Sequence, residues 1–197
     1  MNCLKKLFSS KKLSKPENKP PRHFRNERFL AFASREVGTV EWRDGSNPKV
    51  EKYLDYGASI ENTDSGLTDD VPWCAGFIAY CLESVGMGST NSLAARSYLK
   101  WGVSTKENPL PGDIAVFWRG SISGWQGHVA IYLGADHYLG GNQNDSVNVT
   151  KYSKDRLLDI RRSSKHEKMS QADIDLLWGM ATKVIAGNKV EIGGKVS

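Results

Sequence analysis

The chain has 197 residues, a length that suits one domain with tails. Hydrophobic residues make up 39% of it and include six Trp, enough to build a core, which excludes a wholly disordered chain. A net charge of +5 and a pI near 9.0 suit an anionic partner without choosing among nucleic acid, lipid and a charged wall polymer, and much of the excess lies in the first 25 residues.

Residues 1–25, rich in Lys and Pro and without apolar period, are expected to be a disordered basic leader. This start has no apolar stretch of about 7–15 residues and no small-residue cleavage site, so export by the usual signal route is not expected. No apolar run reaches the roughly 18–20 residues that span a bilayer. From Asn26 to Val37, Phe29, Leu30, Ala33 and Val37 form one helical stripe closed by Gly38. Asn47 and Pro48 open a second helix, PKVEKYLDYG, as cap and first helical residue. Ala58 to Val71 is polar and irregular. A central helix follows, with Asp69 and Asp70 as candidate caps, Pro72 in the first turn, and Phe77, Ile78, Cys81, Leu82 and Val85 in helical period up to Gly86. A further helix, SLAARSYLKWG, ends at Gly102.

Beyond this point the period becomes strand-like. PLPGDIAVFWRG, HVAIYLG, DHYLGGN, SVNVTKYS and LLDIRR read as strands, and short Gly- or Asn-rich connections favour antiparallel neighbours. Helices first and strands after make the class α+β. One folded domain is expected over 26–165, followed by a C-terminal helix and tail over 166–197 carrying the amphipathic stretch ADIDLLWGMATKVI.

Three Cys, at 3, 74 and 81, are too few for a disulfide framework. Cys74 and Cys81 lie two turns apart on one helix, too far for an unstrained bridge. Cys74 falls in the first turn of the central helix, where free N–H groups and the dipole favour a thiolate; taken alone it also fits a buried packing cysteine. His128 opens a strand directly after Gly127, which leaves room for a substrate backbone, and imidazole is the natural base for a thiol. Asn142 is the first choice for the group that orients this imidazole, with Gln143 as the alternative; both also suit an ordinary turn. Asp70, Trp73, Arg119 and Trp125, with Trp118, are candidates to line a cleft, Arg119 by pairing with a carboxylate. Glu41 and Asn47 flank a turn and offer support from outside the triad, or are solvated turn residues. With no HExxH, no CxxC and four scattered His, no metal or cofactor is expected. No basic stripe interleaved with aromatics marks a nucleic-acid partner.

The words VPWCAGFIAYCL, LPGDIAVF, GHVAIYLG and LGGNQND, in that order, resemble the NlpC-type and CHAP-type cell-wall peptidases, and REVGTVEWRDGSNPKVEKYL is similar to the lead-in helices of one NlpC-related subgroup. The resemblance runs from about Glu27 to Arg161. It implies a papain-like α+β fold, with N-terminal helices on a five- to six-stranded antiparallel sheet. It implies hydrolysis of peptidoglycan amides through a thioester acyl-enzyme by Cys74 as nucleophile, His128 as base and Asn142 or Gln143 as third member. A cysteine protease or acyltransferase acting on protein and a non-catalytic wall-binding module are the alternatives. The expected setting is a monomer made in the cytoplasm and acting in periplasm or wall as a phage lysin or interbacterial toxin, with an immunity or carrier protein as a further partner.

Overall fold

The computed structural model of the chain describes residues 25–58, 65–164 and 169–191. The expected leader, apart from Arg25, therefore lies outside the described residues, as do Cys3, His23, His166 and residues 59–64 of the irregular stretch. Helices α1 (Arg25–Arg35), α2 (Pro48–Gly57) and α3 (Cys74–Ser84) and a 3-10 helix (Ala95–Lys100) precede the strands. The strands are β1 (Val103–Ser104), β2 (Ile114–Trp118), β3 (Gly127–Gly134), β4 (His137–Gly140), β5 (Asn148–Lys151) and β6 (Leu157–Arg162), and α4 (Gln171–Ile185) closes the order. They form one six-stranded sheet, β1-β6-β2-β3-β4-β5, in which every pairing is antiparallel. The α+β class and the antiparallel sheet are as expected; β1, a two-residue strand, is the addition.

Helix α2 starts as its sequence dictates: Asn47 Oδ1 accepts the Lys49 N–H at 2.9 Å and Pro48 opens the first turn. Helix α3 starts differently. Its cap position is Trp73, with no side-chain cap, rather than the Asp69–Asp70 pair. Asp69 is buried and turns instead to the Trp42 and Asn47 N–H groups at 3.1 and 2.9 Å, fixing the 42–47 turn beneath the helix start. The N–H groups at the front of α3 thus have no side-chain cap as acceptor. The segment expected as a fourth α-helix is only a six-residue 3-10 helix, introduced by the Ser92 hydroxyl accepting the Ala94 N–H at 3.2 Å, the kind of local bond that competes with helix backbone.

The sheet separates two apolar layers. Ile114, Val116, Val129, Ile131 and Leu139 meet Phe77, Ile78, Cys81 and Leu82 of α3 in the main core. The alternate residues Ala115, Phe117, Ala130 and Tyr138, with Ile160, form a second cluster with Tyr132, Tyr152 and Leu157. Helix α4, closed by a Ser170–Asp173 capping box, places Met180, Ala181 and Val184 in the main core. The C-terminal helix is therefore part of the same core as residues 26–165 rather than an appended tail.

The Gly-Asp that leads β2 has an architectural role. Asp113 is fully buried and accepts from Arg162 (Nε 2.7 Å, Nη2 2.6 Å), Asn26 (3.2 Å), Thr105 (3.0 Å) and the Leu110 N–H (2.9 Å). One carboxylate thus ties α1, the end of β1 and β6 to the start of β2.

Candidate active site

Cys74 is the first residue of α3 and is 4% exposed. The backbone N–H groups of Val129, Ala75 and Cys74 itself are directed at its sulfur. Val129 follows His128 on β3. Burial pushes the Cys74 thiol above its ordinary pKa, and the N–H groups and the Arg119 guanidinium oppose this without overcoming it. The helix-start effect anticipated from sequence is present but is outweighed by desolvation, so the resting group is a thiol.

His128 is 1% exposed and sits opposite Phe117 of β2, with its ring 5.0 Å from the Tyr152 ring and 6.4 Å from Phe117. Its Nε2 lies 3.0 Å from Gln143 Oε1. The Gln143 amide cannot be reversed at no cost, because its Nε2 donates to Asn148 O at 2.8 Å and Asn148 Oδ1 at 3.0 Å. Gln143 Oε1 is therefore the acceptor, His128 Nε2 carries the proton, and Nδ1 holds the lone pair. Arg119 Nη2 donates to that Nδ1 at 3.3 Å. Burial lowers the His128 pKa to about 4; the hydrogen bond that its Nε2–H donates to Gln143 resists the shift and Arg119 adds to it. Thiol and imidazole are both neutral at pH 7.

The structure divides the two candidates for the third position. Asn142 adopts left-handed backbone (φ 54°), which Asn tolerates, and its Nδ2 donates to Glu41 Oε1 at 2.7 Å. The side chain that reaches His128 is Gln143, the second choice from sequence. Gly140 permits this approach, since a Cβ there would lie 2.7 Å from Gln143 Oε1. Gly141 likewise leaves room for the Trp73 ring, 2.4 Å from where its Cβ would be.

Other expectations are redistributed. Trp73 is fully buried beside Tyr53 (5.8 Å between rings) and leaves no face for a cleft; its Nε1 donates to Glu41 Oε1 at 2.5 Å. Glu41 thereby joins the residue before the nucleophile to the residue before the imidazole's partner. Asn47 serves as the α2 cap and donates to the Val40 carbonyl at 2.7 Å. Asp70 is exposed and accepts from the Thr68 hydroxyl. The space beside Gly127 is occupied: a Cβ there would stand 2.9 Å from Phe117 O and 3.0 Å from Arg96 Cγ, so no substrate backbone fits at that point. Arg96 instead holds the β2–β3 loop through the Ser121, Ile122 and Gln126 carbonyls at 2.9, 3.0 and 2.8 Å. That loop leaves Trp125 83% exposed. Trp118 is half-buried under the Arg156 guanidinium. Tyr152, which touches the His128 ring and meets Arg119, was not singled out from sequence; its signal was only an aromatic at the end of a strand-like run. Among the described residues no cluster of His, Cys, Asp or Glu is able to hold a metal ion, and no helix is long and apolar enough to cross a membrane.

No curated protein matches the chain. Solved structures similar to it include the P60 domain of an M. avium subspecies paratuberculosis antigen, at 17% identity and TM-score 0.47, covering 73% of this chain and 96% of that one. A mutated form of the resuscitation promoting factor interacting protein RipA is 17% identical with TM-score 0.49, covering 71% and 62%. A lipoprotein-like NLP/P60 family protein from Staphylococcus aureus subsp. aureus Mu50 is 20% identical with TM-score 0.39, covering 64% and 44%. A family model, the CHAP domain, matches residues 66–145, which hold Cys74, Arg119, His128, Asn142 and Gln143. The CHAP part of the expected resemblance thus has a matching family model over residues 66–145, less than half of this chain.

Proposed function

We propose that the protein is a cysteine hydrolase that cuts amide bonds in peptidoglycan, as a stem-peptide endopeptidase or an amidase. The observation that supports this above all others is the arrangement at the front of α3: a thiol set beside Val129, the neighbour of a buried imidazole whose tautomer is held by Gln143. In the reading offered, Cys74 is the nucleophile, His128 the base and Gln143 the orienting group. The resting pair is neutral, so the thiol proton passes to His128 Nδ1 as sulfur attacks the amide carbonyl. Nδ1 then gives that proton to the departing amine, leaving a thioester on Cys74. Water, losing a proton to His128, cleaves the thioester to a carboxylic acid and restores the thiol. The N–H groups of Cys74, Ala75 and Val129 supply donors for the oxyanion.

A basic protein acting on an anionic wall polymer fits the net charge of +5. The same reading has a monomer reach periplasm or wall as a phage lysin or a delivered toxin. The test is digestion of defined muropeptides by wild type, Cys74→Ala and Cys74→Ser, with products identified by mass spectrometry. Wild type is expected to release fragments whose masses name the bond cut, and both variants none. Release at the wild-type rate by Cys74→Ala would overturn the proposal. Thiol alkylation that leaves wall binding intact while no product ever forms would favour a binding module instead.

A further inference from the structure

His128 has a single nitrogen available for the thiol proton. Its Nε2 is committed to Gln143, whose own amide hydrogens are committed to Asn148. The remaining nitrogen, Nδ1, is held by Arg119 at 3.3 Å. A lone pair occupied by a guanidinium hydrogen cannot accept a proton, so this contact must open before the chemistry proposed above can begin. The residue that makes it is exposed to solvent, and its guanidinium also meets the Tyr152 hydroxyl and lies near the Cys74 sulfur. Around that cation stand a thiol, an imidazole and a phenol, all neutral, and among the described residues no carboxylate pairs with it. A cation at the mouth of a reactive site, bonded only to neutral acceptors, is matched by an anion: a carboxylate takes a guanidinium through two parallel charge-assisted bonds, against one long bond to a neutral nitrogen.

We propose that Arg119 is the anion receptor of this site, taking a carboxylate that the substrate carries beside its scissile amide, and that this exchange removes the guanidinium from His128 Nδ1. The choice of substrate rests on the hydrolase reading above; the affinity for anions at Cys74 does not. The site then selects acidic peptides over their amidated forms, and the base is released only when such a peptide is present.

Two alkylating agents of nearly equal size, iodoacetate and iodoacetamide, isolate the charge. The rate of modification at Cys74 is followed by peptide mass spectrometry, which separates it from Cys3 and Cys81, and each rate is divided by that of glutathione. Wild type is expected to favour iodoacetate by about tenfold after this correction, R119Q to lose the preference, and R119K to keep part of it. A wild-type ratio equal to that of glutathione, or a ratio unchanged in R119Q, overturns the proposal. Hydrolysis of a stem peptide bearing a free carboxylate next to the cleaved amide, compared with the amidated peptide, gives the second reading. A roughly tenfold advantage of the acid in kcat/KM that disappears in R119Q supports the receptor, and an advantage that persists refutes it. In Cys74→Ala protein, the acidic peptide should shift the His128 Nδ1 resonance toward its position in R119Q; a resonance that stays put with the peptide bound refutes the release of the base. If no form of the protein cleaves any peptide, the hydrolase reading falls, and the alkylation ratio alone still decides whether Arg119 receives anions.

Discussion

Two buried polar clusters stand on the same sheet, one at the start of β2 and one at the start of β3, and they are built to different ends. At Asp113 both carboxylate oxygens are filled by donors from distant elements, and the charge is matched by Arg162, 11% exposed. At His128 one nitrogen is fixed as firmly, through Gln143 and Asn148, while the other meets only an exposed arginine over a longer bond. A fully satisfied cluster has nothing left to offer a ligand and acts as an anchor. A cluster with one weakly held lone pair is rigid everywhere except where a proton has to move.

The largest effect that would break this contrast is at the anchor. Asp113→Ala leaves Arg162 without its buried partner and is expected to cost about 3–5 kcal/mol in urea unfolding. Cys74 alkylation per folded molecule should be little changed, and a selective loss of alkylation without loss of stability would merge the two clusters into one functional unit. The next effect concerns His128. Its pKa is about 4 in the folded protein and about 6.5 unfolded, so between those values the unfolded chain binds more protons. Stability should therefore be complete above pH 6.5 and fall as the pH drops toward 4, by about 3 kcal/mol for this group. The difference between wild type and His128→Gln over that range measures it, and parallel curves would contradict the shift.

Smaller still is the separation of Gln143 from Asn142. Gln143→Ala should lower kcat by an amount equal to a buried hydrogen bond left open, roughly 1–3 kcal/mol or about 5- to 150-fold. Asn142→Gly, which suits the left-handed backbone, should change it by no more than a few-fold. A reversed order in steady-state rates would return the orienting role to Asn142. A smaller effect than that of Gln143→Ala is expected at Glu41, which accepts from both Trp73 and Asn142. Glu41→Ala should reduce kcat about 3- to 10-fold with KM unchanged, and Glu41→Gln, which keeps an accepting oxygen, should recover most of it.

Much of this was legible beforehand in particular residues. The stripes of α1 and α2, the Asn47–Pro48 start and the Ile-Val-Phe alternation of β2 and β3 rest on local geometry and were found where the sequence put them. The start of α3 was not, because Asp69 looks like a cap until one sees the Trp42 and Asn47 N–H groups it serves. Trp73 looked like a cleft residue because adjacency to Cys74 says nothing about the side on which the indole is packed. Tyr152 and Arg119 converge on the imidazole only through the pairing of strands distant in sequence.

By itself the sequence determined the α+β class and the order of most elements, since periodicity and turn chemistry are properties of short stretches of chain. Tertiary structure alone decided which amide meets His128, what charge state the pair rests in and that Arg119 holds the free nitrogen. Hydrogen-bond partners and desolvation are set by atoms brought together from separate elements, and a left-handed turn at Asn142 suffices to exchange the roles of two neighbouring side chains.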